Sequence, residues 1–290
     1  MKKLRQISVI GLGLLGSSVT LTISRSLAGV KTVGYSHRGV TREKARQLGV
    51  VDEVCDDIET CVREADMVIL ATPVCTFEGI FREIAPALPD GAIVTDVGSV
   101  KVLPHRWAER TLSRKIYYVG SHPIAGSEKR GVEFGRDDLF ANSRCIVTKS
   151  RRTNAAALGR VRRFWQDLGC SVNVMTPAEH DRIFGRVSHV PHVTAVALVN
   201  AGDSEELKYA GKGFIDTSRV ASGPANVWTD ILMTNAENIS RGIDAVIREL
   251  NRIQRAVLNK DAKAVERILS EAGAKRAALI KYKVKNKELL

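Results

Sequence analysis

Short runs of apolar residues alternate with longer mixed segments over the first 175 residues. The runs are apolar throughout and do not alternate with polar residues, which is typical of parallel strands buried on both faces. Segments with helical spacing lie between them, so the pattern predicts a doubly wound parallel sheet. The predicted strands are Ile7–Ile10, Thr32–Tyr35, Met67–Ala71, Ala92–Asp96, Ile116–Val119, Ile146–Thr148 and Val172–Met175, and the helices include Thr41–Leu48, Ile58–Arg63 and Phe77–Ala87.

The pattern changes near Met175. From Ala178 onward apolar residues recur three and four positions apart, which predicts helices, with a polar loop from Gly202 to Pro224. We therefore expect an α/β chain with a Rossmann-type dinucleotide-binding domain at 1–175, followed by an all-α domain at 176–290. Long apolar helix faces in the second domain suit dimerisation. The helical residues concerned are Ile239, Ile243, Val246, Leu250, Ile253 and Val257, then Ala262, Val265, Leu269 and Ala272.

A glycine motif follows the first predicted strand directly. Gly11, Gly13 and Gly16 give the spacing G-x-G-x-x-G, with Leu14 and Leu15 between the last two, and a helix is predicted to begin near Ser17. The three glycines allow a tight turn, a close approach of the pyrophosphate, and close packing of helix on strand. The helix N-terminus offers N–H groups to the phosphates. This context predicts a dinucleotide site, which Thr72 and Pro73 would line with their backbone.

The end of the second strand bears on which cofactor binds. An NAD site usually has a carboxylate there for the ribose hydroxyls, whereas this chain has Ser36, His37 and Arg38. Arg38 could hold a 2′-phosphate, so we predict NADP, with NAD as the alternative. An exposed surface turn is the simplest other interpretation of these three residues.

Charge, cysteines and apolar run lengths narrow the class of protein. The net charge of +12 is spread along the chain without a basic stripe interleaved with aromatics, so we expect anionic small molecules and not nucleic acid as partners. Five cysteines without a C-x-x-C pair fit reduced thiols and a cytoplasmic location. No apolar run is long enough to span a membrane.

Four polar segments carry the candidate chemistry. They are D-V-G-S-V-K at 96–101, S-H-P-I-A-G-S-E-K-x-G at 121–131, S-H-V-P-H at 188–192 and S-R-V-A at 218–221, with Trp228 following. Together, and in this order after a glycine motif, they resemble the prephenate/arogenate dehydrogenase family of tyrosine biosynthesis over nearly the whole chain. The resemblance implies an NAD(P)-dependent oxidative decarboxylation of a cyclohexadienol that releases CO2, and a homodimer formed through the helical domain.

The resemblance also implies roles for individual residues. His122 would accept the proton of the ring hydroxyl, a task that suits a neutral imidazole at pH 7. Ser99 would hydrogen-bond the same hydroxyl or orient His122. Arg219 would bind a substrate carboxylate through a planar fork, with help from His192. Ser127 and Glu128 would lie at the mouth of the pocket. The sequence does not separate prephenate from arogenate.

Some alternatives remain open. Ile215 stands where some relatives carry a second cation, which leaves one substrate carboxylate with less help. His189, His192 and His122 could together form a zinc site, but no carboxylate or cysteine completes a recognisable set, and we predict no metal. Other functions for the chain are a hydroxyacid or imine dehydrogenase with the same domain order, and a non-catalytic nucleotide-sensing regulator.

Overall fold

Six parallel strands form the first sheet of the computed structural model, which describes residues 4–126 and 129–285. The strand order is β3-β2-β1-β4-β5-β6, the order of dinucleotide-binding sheets. The strands are β1 (Gln6–Ile10), β2 (Lys31–Tyr35), β3 (Glu53–Val54), β4 (Met67–Leu70), β5 (Ile93–Asp96) and β6 (Tyr117–Tyr118), joined by α1 (Leu14–Ser26), α2 (Gly39–Leu48), α3 (Ile58–Val62), α4 (Phe77–Ile84) and α5 (Val102–Thr111).

Both faces of this sheet are buried. In β4, Met67 and Ile69 pack into one apolar cluster, while Val68 and Leu70 pack into the other. Successive strand residues point to opposite faces, so a strand covered on both sides needs apolar residues at every position. The prediction of a doubly wound parallel sheet is confirmed. The short β3 lacks such a run, because Glu53 is exposed, and the sequence pattern missed it.

A second, three-stranded sheet follows. It consists of β7 (Ser121–Ile124), β8 (Arg144–Thr148) and β9 (Ser171–Met175), with α6 (Ala155–Asp167) between the last two. β7 runs antiparallel to β8 with His122 opposite Ile146, and β8 runs parallel to β9. His122 does not belong to the strand predicted at Ile116–Val119 but lies in a separate strand, which the sequence pattern did not predict. The Ser121 hydroxyl hydrogen-bonds Thr95 at 2.8 Å and the Asp96 carbonyl, which ties β7 to the end of β5.

Helices follow β9 to the end of the described chain. They are α7 (Pro177–Phe184), α8 (Val190–Ala201), α9 (Ser204–Leu207), α10 (Lys212–Ser218), α11 (Ala225–Thr234), α12 (Ala236–Leu258) and α13 (Ala262–Lys285), with a π-helical turn at Gly185–His189 and a 3₁₀ turn at Arg219–Ser222. The chain divides into two compact units between Ala236 and Glu237. The second unit is the pair α12 and α13, where Arg252 pairs with Glu271 at 3.0 Å.

The segment from Gly202 to Pro224 is not a loop, contrary to our prediction. Asp203 and Glu206 form a capping box that begins α9. Lys212 pairs with Asp216 one turn later at 3.0 Å within α10. These local polar contacts form helices without an apolar stripe, so hydrophobic spacing alone could not reveal them.

Candidate active site

The glycine turn between β1 and α1 has the shape that a dinucleotide needs. Gly11 has φ +103°, and a Cβ there would lie 2.7 Å from the backbone of Ala71. A Cβ on Gly16 would lie 1.8 Å from the Gly11 carbonyl oxygen. In contrast, a Cβ on Gly13 would meet no atom within 4 Å. The turn is therefore closed toward the protein and open at Gly13.

The first turn of α1 faces the same open space. Gly13 is its N-cap residue and has no side chain that could cap the helix. The turn that starts with Leu14 and Leu15 contains no acidic residue. Its N–H groups and the positive end of the helix dipole remain available to an anion. Thr72 and Pro73 follow β4 beside Gly11, and the Thr72 hydroxyl bonds Thr76 at 2.8 Å. These residues fit the pyrophosphate of a bound NAD(P).

The end of β2 carries cationic residues. The Ser36 side chain is buried, while His37 and Arg38 are exposed. Arg42, which we did not predict, donates to the carbonyl oxygens of Ser36 at 2.7 Å and His37 at 3.3 Å, and so fixes this turn. Arg42 also pairs with Asp56 at 3.0 Å.

Asp56 is linked to this turn through Arg42. It also pairs with Arg46 at 2.8 Å, so two guanidinium groups balance its charge and lower its pKa. The sequence pattern missed Asp56 because it follows β3, some twenty residues beyond the expected position. Within the described residues, the Arg38 side chain makes no ion pair or hydrogen bond.

His122 is a partly buried residue of β7, and among the described residues its ring is hydrogen-bonded at Nδ1 alone. Its Nδ1 lies 2.9 Å from Nε2 of His180, a residue of α7. The His180 Nδ1 lies 2.8 Å from Oδ1 of Asp181. Phe184 stacks on His180 and packs against His122. Two histidines and a carboxylate thus form a continuous chain that ends at His122.

The far end of this chain lies at the N-terminus of α5. Asp181 accepts hydrogen bonds from the backbone N–H of Lys101 at 2.7 Å and of Val102 at 2.8 Å. The Lys101 ammonium is fully buried and pairs with Asp96, which also accepts from Tyr118 at 2.6 Å. The segment D-V-G-S-V-K at 96–101 therefore contributes a buried ion pair and a backbone N–H donor to the site.

Burial sets the charge state of these groups. It lowers the pKa of His122 and of His180 well below the usual 6.5, and the nearby Lys101 and His189 act in the same direction. Burial also raises the pKa of Asp181 to about 6, although its hydrogen bonds from Val102 and Lys101 oppose this. At pH 7 the histidines are neutral and Asp181 is mostly ionised.

A second polar cluster surrounds His192. Its ring stacks on Trp228 at 3.5 Å between centroids, with 6° between the ring planes. Burial lowers the pKa of His192, while a hydrogen bond with the backbone of Val220 raises it. A Cβ on Gly223 would lie 2.2 Å from Trp228 and 2.9 Å from His192, so the turn after Arg219 runs directly over these rings. Arg219 begins this turn and is exposed.

Four other residues were singled out from the sequence, namely Ser99, Ser127, Glu128 and His189. Ser99 is partly buried in the loop after β5, and its hydroxyl bonds no other described residue, His122 included. Ser127 and Glu128 lie outside the described residues. His189 lies in the π-helical turn, where its Nδ1 accepts from Asn235 at 3.2 Å. Burial lowers the pKa of His189 to about 4.

Among residues 4–126 and 129–285, no cluster of three or more His, Cys, Asp or Glu side chains has a metal-binding arrangement. In the same described part of the chain, none of the helices combines the length and the apolar character that crossing a bilayer requires.

Comparisons with known proteins agree with this geometry. A family model described as prephenate dehydrogenase, nucleotide-binding domain, matches residues 19–174. Another, described as prephenate dehydrogenase, dimerization domain, matches residues 176–271. The cyclohexadienyl dehydrogenase of Zymomonas mobilis is 33% identical over 282 residues, which cover 95% of this chain and 96% of that protein.

The chain belongs to the prephenate dehydrogenase family.

Solved structures of prephenate dehydrogenases and their relatives share the fold. The A. aeolicus prephenate dehydrogenase, in complex with hydroxyphenyl propionate and NAD+, is 33% identical with a TM-score of 0.89, covering 96% of this chain and 99% of that one. The Synechocystis arogenate dehydrogenase is 29% identical with a TM-score of 0.82, covering 94% and 99%. This chain is accordingly an NAD(P)-dependent oxidoreductase of tyrosine biosynthesis that carries out an oxidative decarboxylation.

The sequence pattern of this prephenate dehydrogenase homologue did not single out His180 or Asp181 as site residues. They follow Thr176, whose capping box with Glu179 begins α7, and a histidine beside an aspartate in the first turns of a helix has many structural explanations. What distinguishes this pair is complete burial next to His122, which only the tertiary structure reveals.

Two glycine variants should separate folding from cofactor binding. Gly13→Ala should cost no more than about 1 kcal/mol of unfolding free energy. Its Cβ would enter the space left for the pyrophosphate, so the cofactor Kd should rise roughly tenfold. Gly11→Ala should instead destabilise the fold, because its φ of +103° and the nearby Ala71 backbone resist a Cβ.

Thermal unfolding and calorimetric titration with NAD and NADP would measure both effects, with Gly79→Ala in α4 as the matched control. An unchanged cofactor Kd in Gly13→Ala would contradict the placement of the pyrophosphate.

Proposed function

We propose that this enzyme oxidises the cyclohexadienol ring of prephenate or arogenate, with His122 as the base and NADP as the preferred cofactor. The observation that carries the proposal is the one-sided hydrogen bonding of His122. Its Nδ1 faces His180, which leaves Nε2 for a ligand. Its relatives bear the names prephenate, cyclohexadienyl and arogenate dehydrogenase, which supports this substrate class.

The reaction requires removal of the proton of the C4 hydroxyl group and of a hydride from C4 itself. The bound nicotinamide supplies the hydride acceptor. His122 Nε2 accepts the proton of the C4 hydroxyl, and burial keeps this imidazole neutral and ready to accept at pH 7. Ser99 lies in the loop after β5, its hydroxyl has no partner among the described residues, and we expect it to hydrogen-bond the same oxygen. Cleavage of the bond to the C1 carboxylate then makes the ring aromatic.

Arg219 and His192 would recognise the carboxylates of the substrate. The 3₁₀ turn that begins at Arg219 runs over the stacked rings of His192 and Trp228, so one wall of a pocket combines a guanidinium, an imidazole and an apolar surface. A guanidinium binds a carboxylate through two parallel hydrogen bonds. Ile215 lies on α10 and is 58% exposed, and it offers no second cation. Ser127 and Glu128 stay predictions for the mouth of this pocket.

The preference for NADP rests on the turn after β2. Arg42 holds the backbone of that turn, Arg38 remains free to bind a 2′-phosphate, and Asp56 is balanced by two arginines. The relative from A. aeolicus was solved with NAD+, so cofactor preference is a property to be measured for this chain.

We also assign residues 1–175 to dinucleotide binding and 176–290 to substrate binding and dimerisation. In the second compact unit, α12 exposes Leu250 (58%) and Val257 (57%), apolar side chains suited to a second copy. The family model that matches this part of the chain is described as a dimerization domain. Sedimentation equilibrium should give twice the chain mass, and a monomer at micromolar concentration would contradict this assignment.

The five free cysteines support a cytoplasmic location.

One assay tests the substrate class and the cofactor together. The purified chain is given prephenate or arogenate with NAD or NADP, and reduced nicotinamide is followed by absorbance. We expect turnover of at least one substrate and a preference for NADP of roughly ten- to hundredfold, the effect of one charge-assisted hydrogen bond to phosphate.

Replacing Ser36 by Asp and Arg38 by Ala together should shift preference toward NAD without changing the substrate KM. Arg82→Ala, at an exposed arginine of α4, is the control that leaves the preference unchanged. Equal or better use of NAD by the wild type would contradict the cofactor assignment alone; no turnover of either substrate would contradict the proposed function.

Two variants should separate catalysis from substrate binding. His122→Asn should lower kcat by about 10²–10⁴-fold with little change in KM. Arg219→Ala should raise the substrate KM by tenfold or more, in the range of roughly 1.5–3 kcal/mol for a charge-assisted bond, and Arg219→Lys should restore little. The exposed Lys208→Ala serves as the control.

The pH dependence has a definite sign. The base must be unprotonated, and the pKa of His122 is lowered, so kcat/KM should hold as pH falls from 7 and decline only as it falls through a pKa below 6.5. Near-normal turnover in His122→Asn would remove this residue from the mechanism, and an unchanged KM in Arg219→Ala would remove Arg219 from substrate binding.

A further inference from the structure

We propose that His180 and Asp181 are positioning residues for the reaction: they hold His122 with Nε2 unprotonated, and His180 takes the Nδ1 proton of His122 as His122 accepts the substrate proton at Nε2. This inference rests on the proposed role of His122 as the base. It adds a second histidine and a buried carboxylate, neither of which the sequence pattern singled out, to the reaction.

The hydrogen-bond donors around Asp181 fix its charge. Oδ1 accepts from the Lys101 N–H at 2.7 Å, and Oδ2 accepts from the Val102 N–H at 2.8 Å, at the start of α5. Both oxygens therefore already act as acceptors of backbone N–H groups, which a carboxylate does best when ionised. The group that faces it from His180, Nδ1 at 2.8 Å, must then be the donor.

This one assignment determines the rest of the chain. A neutral imidazole has one N–H and one lone pair. With its proton on Nδ1, His180 presents a lone pair at Nε2, 2.9 Å from Nδ1 of His122. His122 must donate there, so its own proton is on Nδ1 and its lone pair is on Nε2. The Asp181 carboxylate thus sets the tautomer of both rings and leaves His122 as a base.

The balance of the reaction shows why a place for the proton is needed. The O–H and C–H bonds at ring C4 break, the hydride goes to the cofactor, and the proton goes to His122 Nε2. Cleavage of the carboxylate bond at C1 releases CO2 and sends its electron pair through the ring to the C4 oxygen. That oxygen then takes back one proton. No net proton is released, so the protein must hold one proton and return it.

His180 is the better place to hold this proton. Lys101 and His189 lower the pKa of both histidines, but among the described residues only the His180 ring is hydrogen-bonded to a carboxylate, so an imidazolium at His122 would be buried without one. If His122 passes its Nδ1 proton to His180 Nε2 as it accepts at Nε2, the positive charge moves next to the Asp181 carboxylate. A carboxylate hydrogen-bonded to an imidazolium stabilises it, as in catalytic triads, without becoming protonated. Lys101, His189 and His105 are the other charged or titratable groups that act on His180.

His180→Gln is the variant that tests the transfer. A glutamine can accept from His122 and donate to Asp181, so it preserves the orientation of His122, but it cannot carry a proton. We expect kcat to fall roughly 10²-fold, the usual contribution of proton transfer, with the KM of substrate and cofactor within about twofold of wild type.

Ser8→Ala is the control, because Ser8 is as fully buried as His180 but its hydroxyl donates to the Cys61 carbonyl oxygen, outside the chain. It should keep the wild-type kcat. Wild-type kcat in a folded His180→Gln would overturn the proposal. If His122→Asn also keeps its activity, the proposed function of His122 fails as well; loss in His122→Asn alone refutes only the transfer to His180.

A measurement on the unaltered enzyme keeps the proposal testable if His180→Gln does not fold. Single-turnover rates are measured in mixtures of H2O and D2O. Two protons that move together give a curved dependence on the deuterium fraction, and this is the result we expect. A linear dependence, which a single moving proton produces, would overturn the transfer to His180.

Discussion

The buried carboxylate of Asp181 is the constraint on which the active site depends. An ionised group without water must be hydrogen-bonded, since burying it alone is very costly. Asp181 meets this need with two backbone N–H groups of α5 and with His180. These hydrogen bonds join α7, the first helix after the two sheets, to the start of α5. Removing any of these donors would leave a buried charge unsatisfied, so the arrangement of α5, α7 and β7 holds together as a unit.

The cofactor end and the reaction end of the site are built in opposite ways. At the cofactor end, Gly13 has no side chain and leaves open space, and the first turn of α1 contributes backbone N–H groups. At the reaction end the protein packs side chains so that His180 is hydrogen-bonded at both ring nitrogens and His122 at Nδ1, and burial keeps both rings neutral. This end also contains a buried ion pair, Lys101 with Asp96, and two stacked rings, His192 and Trp228.

Features encoded locally could be predicted from the sequence. Fully apolar runs predict parallel strands because both faces of the sheet are covered, and the Gly11, Gly13 and Gly16 spacing predicts the turn because only glycine tolerates its contacts. His122 was found because it lies within a specific motif. Its strand was not recognised, since Ser121–Ile124 includes a proline and pairs with a strand more than twenty residues later.

The remaining features depend on tertiary contacts. Arg42 and Asp56 meet across β2 and β3, and His180 meets His122 across two elements, so no sequence spacing reveals either pair. The helices between Asp203 and Ser218 depend on caps and ion pairs instead of apolar spacing. Functional roles that require a bound substrate, such as those of Ser99 and Arg219, remain proposals.

The tautomers of His122 and His180 test the central claim most directly. Nitrogen-15 chemical shifts of the imidazole rings, assigned with the His122→Asn and His180→Gln variants, report which nitrogen carries the proton in the free enzyme. We predict that at pH 7 both rings are neutral and protonated at Nδ1, with Nε2 of His122 unprotonated. A proton on Nε2 of His122 in the resting enzyme would contradict the claim that Asp181 prepares this residue as a base.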